Sequence, residues 1–281
     1  MKALLLAPLI FALAGCGSPI ATAQSSYESS HTADQIVRDA AAAMRQAHTF
    51  RLQGNVNSDS GPVKLDLSVA GPRLVKGQGS QGSTSFELIL AQKKLFLRGH
   101  EFFAQNLARS PNTGNPILDA LVNSLKQGLL QRIGDNWVLV SNGSNSGGVR
   151  GLSGYEDLSN PSKLADCLLA YGKLTKKGTQ TIATHPTIRI QSDAGGTGVG
   201  SAELSIGTAV PHYLYRLVSS GRVSTSASCL NSTSTAASAT SSHGTDSGRI
   251  DFDQYNANIK VSPPPSYVDL TALAQLGASI H

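Results

Sequence analysis

The sequence predicts an α+β fold in which helices cover one apolar face of an antiparallel sheet. Three observations carry this. Apolar residues alternate with polar ones in successive short segments separated by turn residues, which is the pattern of strands with one face buried. Two longer segments instead space their apolar residues three and four apart, as helices do. Finally, only 15% of the 281 residues are charged and 5% aromatic, while glycine alone occurs 28 times, a composition suited to an exported β-rich domain.

The elements follow in order. Thr32 or Asp34 stands at a cap position, and Ile36, Val37, Ala40, Ala41 and Met44 recur at helical spacing, so residues 34 to 47 predict an amphipathic helix. At His48 the period changes to two. Phe50, Leu52 and Val56 alternate with Arg51, Gln53 and Asn55, and residues 57 to 62 form a turn. Val63, Leu65, Leu67 and Val69 make a second strand, turned at Gly71-Pro72. Leu74 to Gly79, then Phe86, Leu88 and Leu90, then Leu95 to Arg98 complete a meander.

From Pro116 to residue 131 the helical period returns. Ile117, Leu118, Leu121, Val122, Leu125, Leu129 and Leu130 form a broad apolar stripe, closed by Gly134. Trp137 to Val140 reads as a strand, residues 142 to 154 as a loop, and Pro161 opens a helix that ends near Gly172. Strands resume at Leu174 to Lys177, Thr179 to Gln191, Ser201 to Ile206 and His212 to Ser219. Residues 222 to 247 are dominated by Ser, Thr and Ala and read as a long insert. Arg249 to Tyr255 and Ile259 to Ser262 are the last expected strands. Pro263-Pro264-Pro265 ends the sheet, and Val268 to Leu276 predicts a closing helix.

The N-terminus has a different texture. Lys2 precedes the apolar run Ala3 to Ala12, which is too short to span a hydrocarbon core of about 30 Å as a helix. Leu13-Ala14-Gly15-Cys16 follows, and this stretch resembles a bacterial lipoprotein signal with its lipobox. The resemblance implies cleavage before Cys16, diacylglycerol on its sulfur, and residence at the extracytoplasmic face of the cell membrane. Two or three acyl chains then make a firm anchor. The expected organisation is a signal peptide over 1–15, lipidated Cys16 with a tether to residue 33, a domain over 34–276 and a short tail over 277–281. About 266 residues remain after cleavage, a length that suits one large domain or two small ones and can bury a sizeable core. No second apolar run of about 18 residues is present.

Several function classes lose support at this level. The net charge of +5 comes from scattered residues, with Lys93-Lys94 and Lys176-Lys177 the only runs. No aromatic interleaving accompanies them, so no nucleic-acid groove is expected, and a weak attraction to anionic lipid is the more natural use of the charge. Gly77 to Gly82 matches G-x-G-x-x-G, but a strand follows where a phosphate site needs a helix N-terminus. Gly143 to Gly147 has Asn at the centre, not the serine of a nucleophile elbow. No two of the seven histidines have ligand spacing, so no metal site is expected. Asp66, Glu87 and Glu203 fall on polar strand faces. No catalytic constellation and no cofactor are expected. Cys167 and Cys229 remain after lipidation, and in an oxidising compartment a disulfide between them is expected.

Taken together, the segments resemble the LolA-like and mycobacterial LppX/LprG-type lipoproteins. The resemblance rests on Gly178-Thr179-Gln180-Thr181-Ile182 with His185-Pro186-Thr187-Ile188, similar to a Gly-x-x-x-Val-x-Gly-x-Pro-x hairpin except at Thr184-His185. It rests also on Val210-Pro211 before His212-Tyr213-Leu214, and on Asp251-Phe252-Asp253-Gln254-Tyr255-Asn256 followed by Val261-Ser262-Pro263-Pro264. It implies an open, curved antiparallel β half-barrel whose concave apolar face, covered by helices, holds acyl chains. The wall would comprise Phe50, Leu52, Leu65, Leu67, Val69, Phe86, Leu88 and Leu90, with Leu118, Leu121, Val122 and Leu125 on the covering helix. The expected function is binding or transfer of lipid, lipoglycan or acylated protein by a monomer. The alternative is a structural or sensory lipoprotein with a filled core and a protein partner. The residues alone leave core and cavity open, because a dry apolar void and a packed interior use the same side chains.

Overall fold

The first helix shows how locally the chain is specified. In a computed structural model describing residues 26–58, 61–108, 116–141, 159–193, 201–220 and 247–269, helix α1 spans Ala33–Gln46. Thr32 caps it: its hydroxyl accepts from Gln35 N–H, and the Gln35 side chain accepts from Thr32 N–H at 2.7 Å. This capping box satisfies two amides that have no partner within the helix. Ile36, Val37, Ala40, Ala41 and Met44 are all buried on one stripe.

Twelve strands form one sheet among the described residues. The chain lays down β1 (Phe50–Ser58), β2 (Gly61–Val69), β3 (Val75–Gln81), β4 (Thr84–Ala91) and β5 (Lys94–Arg98) as an antiparallel meander. Helices α2 (His100–Ala108) and α3 (Pro116–Ile133) follow, then β6 (Val138–Ser141) beside β5. Helix α4 (Pro161–Leu169) carries the chain to the far edge. There β7 (Leu174–Ile182), β8 (His185–Ser192), β9 (Ser201–Gly207), β10 (Leu214–Ser220) and β11 (Ser247–Asp253) return inward. The halves meet where β11 pairs with β1, Leu52 opposite Phe252. Strand β12 (Val268–Asp269) pairs with β6 and is the one parallel pairing described. The edges β7 and β12 do not pair, so the curved sheet stays an open half-barrel.

Side-chain alternation sends one set of residues inward from both halves. Phe50, Leu52, Leu67, Leu88, Leu90, Leu97, Ile188, Ile190, Leu204 and Ile206 share one core with α1, Phe102 and Phe103 of α2, and Leu164 and Leu168 of α4. Each such Leu, Ile or Phe contributes about 1.5–3 kcal/mol by leaving water. Helices α1 and α4 lie side by side, tied at the surface by Arg45 and Asp166 at 2.6 Å. On the inward side of β3 stand Gly77 and Gly79. A Cβ at Gly79 would collide with the Phe86 ring, which lies across that glycine from the neighbouring strand. Phe86 also packs on Phe102, ring centroids 4.6 Å apart.

Five expectations are corrected. Residues 100 to 108 form helix α2, which the sequence reading passed over because its buried stripe is only Phe102-Phe103. Thr179 to Gln191 is not one strand but two, turned at Ala183, which takes φ 52°. Residues 259 to 262 form no strand and no other regular element, with Ile259 N–H bonded to the Ala257 carbonyl. Val268 begins in extended conformation rather than helix, because Val268 N–H finds the Trp137 carbonyl at 2.7 Å on the free edge of β6. The part of the expected tether that the structure describes is not a loose linker: residues 26–30 are helical and held by Asp39 and Lys176. Cys16, the tether as far as residue 25, the insert over 222–246, Cys229 and residues after 269 lie outside the described residues.

Candidate functional site

The candidate site is the apolar face of the half-barrel and what covers it. Phe50 and Leu52 come from β1, Leu65, Leu67 and Val69 from β2, and Phe86, Leu88 and Leu90 from β4. The register sets Phe50 opposite Val69 and Leu52 opposite Leu67. All eight expected wall residues are therefore brought together on one face, and all are buried. Leu52, Leu88 and Leu90 have no exposed surface at all.

The covering helix differs from expectation. Leu118, Leu121 and Val122 belong to α3, but their side chains lie outside the described set. Leu125 does not join the wall: it is 65% exposed. The described part of α3 reaches the core through Leu129, Leu130 and Ile133 instead.

The site also extends beyond the residues that sequence reasoning named. Ile188 and Ile190 of β8, Leu204 and Ile206 of β9, Leu214 and Leu217 of β10, and Ile250 and Phe252 of β11 continue the same face. Their period-two spacing was legible, but only the β11–β1 pairing joins them to the first meander. At the same end sits an aromatic group. Tyr255 stacks on Tyr213 with centroids 4.0 Å apart, and its hydroxyl donates to the Leu214 carbonyl. Burial pushes the Tyr255 phenol well above its ordinary value, as it does Tyr171, pushed up to about 12.

The outer face is polar and paired. Arg51 makes two hydrogen bonds to Asp66, at 2.7 and 2.6 Å, holding that carboxyl below its usual range despite partial burial. Asp251 is raised by burial, but hydrogen bonds from Arg216 and Arg249 outweigh this and lower it overall. Asp253 is raised, chiefly by burial, and one of its carboxylate oxygens is buried without a hydrogen-bond partner. Glu87 receives Arg98, whose guanidinium also lies 4.8 Å from the Trp137 ring centroid. Two recesses of about 610 and 480 Å³ open on this face, lined by such groups as Asp66, Gln78 and Glu87.

Cys167 on α4 carries a free thiol among the described residues, and its expected partner Cys229 lies outside them. Among the described residues no group of three or more His, Cys, Asp or Glu could hold a metal ion, and no helix is long and apolar enough to cross a membrane.

These features define an open antiparallel half-barrel with an apolar inner face under helices. No protein-family model matches the chain, and no curated protein matches it. Solved structures similar to it include LprF from Mycobacterium bovis, 13% identical, covering 83% of this chain and 97% of that one at a TM-score of 0.49. LppX from Mycobacterium tuberculosis is also 13% identical, covering 81% and 96% at 0.44. A putative outer membrane lipoprotein-sorting protein domain from Vibrio parahaemolyticus is 10% identical, covering 80% and 92% at 0.24. At these values the likeness is one of layout and says nothing of a ligand.

Proposed function

We propose that this chain is an envelope lipoprotein, held at the extracytoplasmic face of a membrane by acyl groups on Cys16, whose domain binds lipid, lipoglycan or acylated protein. The observation that carries the reading is the cover of the apolar face. Among the described residues the aliphatic face of the twelve-stranded sheet packs against helices, and the described part of α3 leaves Leu125 in water while Leu129, Leu130 and Ile133 reach the core. A helix that attaches by one flank is a cover that can lift, and each methylene transferred from water to the space beneath stabilises a bound chain by about 0.8 kcal/mol. Transfer of this kind needs no catalytic group, and none is assigned.

A second reading has its own support. The absence of any exposed surface on Leu52, Leu88 and Leu90 is what a filled core looks like, and such a protein would act through a partner. One experiment separates the two. Protein isolated from membranes in mild detergent is extracted with organic solvent, and the extract is analysed by mass spectrometry. Non-covalent lipid at a fixed ratio near one per chain supports the carrier. Loss of all lipid in the first wash sinks it and leaves the filled core. The anchor has a separate test: Cys16→Ser is expected in the soluble fraction, and its sedimentation with membranes after a high-salt wash would overturn acylation.

A further inference from the structure

The first described residues after Cys16 reach toward one particular end of the sheet. Residues 26 to 31 fold back along α1: Tyr27 donates to Asp39 at 2.8 Å and stacks on His212, centroids 4.0 Å apart. The Lys176 ammonium donates to the Glu28 and His31 carbonyls at 2.7 and 2.9 Å. His212 belongs to the β9–β10 turn, so the Tyr27 ring is held at that turn, while Lys176, opposite Ile190, holds the backbone of residues 28 to 31 farther along β7. Ladder registers place the β2–β3, β4–β5 and β7–β8 turns on the same rim, since Phe50, Val69, Val75 and Leu90 follow one another across adjacent strands.

Three properties of this rim agree. Its turns, 70–74, 91–94, 183–185 and 208–212, contain no Asp or Glu but carry exposed Arg73 and Lys93 and half-buried Lys94. Val210, at the tip beside Tyr27, is 84% exposed and is followed by exposed Pro211. The ten residues from Cys16 to Ser25 reach at most about 36 Å, so an acylated Cys16 keeps this rim within that distance of the bilayer. The opposite end is mixed, carrying exposed Glu101, Asp135 and Asp193 beside exposed Arg132 and Lys173.

We infer that this rim is the face the domain lays against an anionic bilayer, with Arg73 and Lys93 on the headgroups and the Val210–Pro211 tip in the headgroup–acyl boundary. Basic groups gain from the negative surface potential only within about a Debye length, which is why their placement beside the tether matters. A small apolar tip enters the interface while the carboxylates near this rim, Asp39 and Asp253, stay half-buried in the fold. The inference rests on acylation of Cys16, proposed above.

The test uses the full lipidated chain reconstituted into vesicles of equimolar phosphatidylcholine and phosphatidylglycerol, the phosphatidylcholine carrying brominated acyl chains. Val210→Trp adds one indole at the tip and Asp135→Trp one at the far end, each read against the native Trp137. Val210→Trp is expected to shift to the blue and to be quenched, with Asp135→Trp unquenched. Adding Arg73→Gln and Lys93→Gln to Val210→Trp lowers quenching to the level seen on vesicles of phosphatidylcholine alone. Equal, weak quenching at both ends in protein that still floats with the vesicles overturns the rim while leaving the anchor intact. Failure to float at all overturns the anchor, and the rim with it.

Discussion

Tyr27 stacks face to face on His212, their ring planes 4° from parallel, across 185 positions of sequence. Through this pair the first described turn of the chain is fixed to the rim of the sheet. The Tyr27 hydroxyl, shifted upward by burial and by its bond to Asp39, stays protonated and donating throughout the physiological range. Tyr27→Ala removes an aromatic stack and a hydrogen bond, expected to cost about 1–2 kcal/mol together. Protease cleavage before residue 32 is expected to accelerate in the variant, measured by timed digestion and mass spectrometry. Unchanged cleavage would mean the segment is held elsewhere.

Gly79 and Phe86 make a second tight pair. A methyl group at Gly79 has no place while the ring lies over it, and the ring is itself held by Phe102. Gly79→Ala is expected to cost about 1–3 kcal/mol by overpacking, whereas Gly128→Ala, on the open side of α3, is expected to stabilise by about 1 kcal/mol through helix propensity. Urea denaturation midpoints measure both. Equal midpoints for the two variants would contradict the packing.

Leu67 and Leu125 were both expected to line one wall, and the structure separates them: Leu67 is 1% exposed and Leu125 65%. Leu67→Trp is expected to destabilise by about 1–3 kcal/mol, and Leu125→Trp to stay within about 0.5 kcal/mol of the parent. A thermal scan of lipid-stripped protein decides it. If Leu67→Trp melts with the parent, the space beside Leu67 is larger than its burial indicates, and the acyl-chain reading gains.

Acid titrates the outer face. Arg51 holds Asp66 ionised, lowering its folded value below the ordinary carboxylate value of about 4. A depressed folded value contributes stability that is present above the unfolded value and lost as pH falls through the folded one. Asp251 acts in the same direction, and Asp253, raised by burial, in the opposite one. Stability is therefore expected to fall below about pH 4, and less steeply in Asp66→Asn. Urea midpoints at pH 7 and pH 3 for the two proteins measure the difference. Identical slopes would show that the Arg51–Asp66 pair contributes nothing to acid stability.

The sequence by itself determined each element whose signal is local. The helical stripe of Ile36, Val37, Ala40, Ala41 and Met44 and the alternation of Leu65, Leu67 and Val69 each repeat with the period of their own backbone, so a window of ten residues suffices. The cap, open between Thr32 and Asp34 in the sequence, is decided only where Gln35 meets Thr32 in the structure. It also determined that one sheet face is apolar, because strand side chains must point to opposite sides. Tertiary structure alone decided the rest. The joining of β11 to β1 depends on residues about 200 positions apart, and no local period encodes it. Whether Leu125 faces sheet or solvent depends on how α3 is rotated against its neighbours. The place where the tether leaves rests on Tyr27 meeting His212 and on Lys176 reaching two distant carbonyls. Such contacts are set by the assembled surfaces, and their partners exist only after the chain has folded.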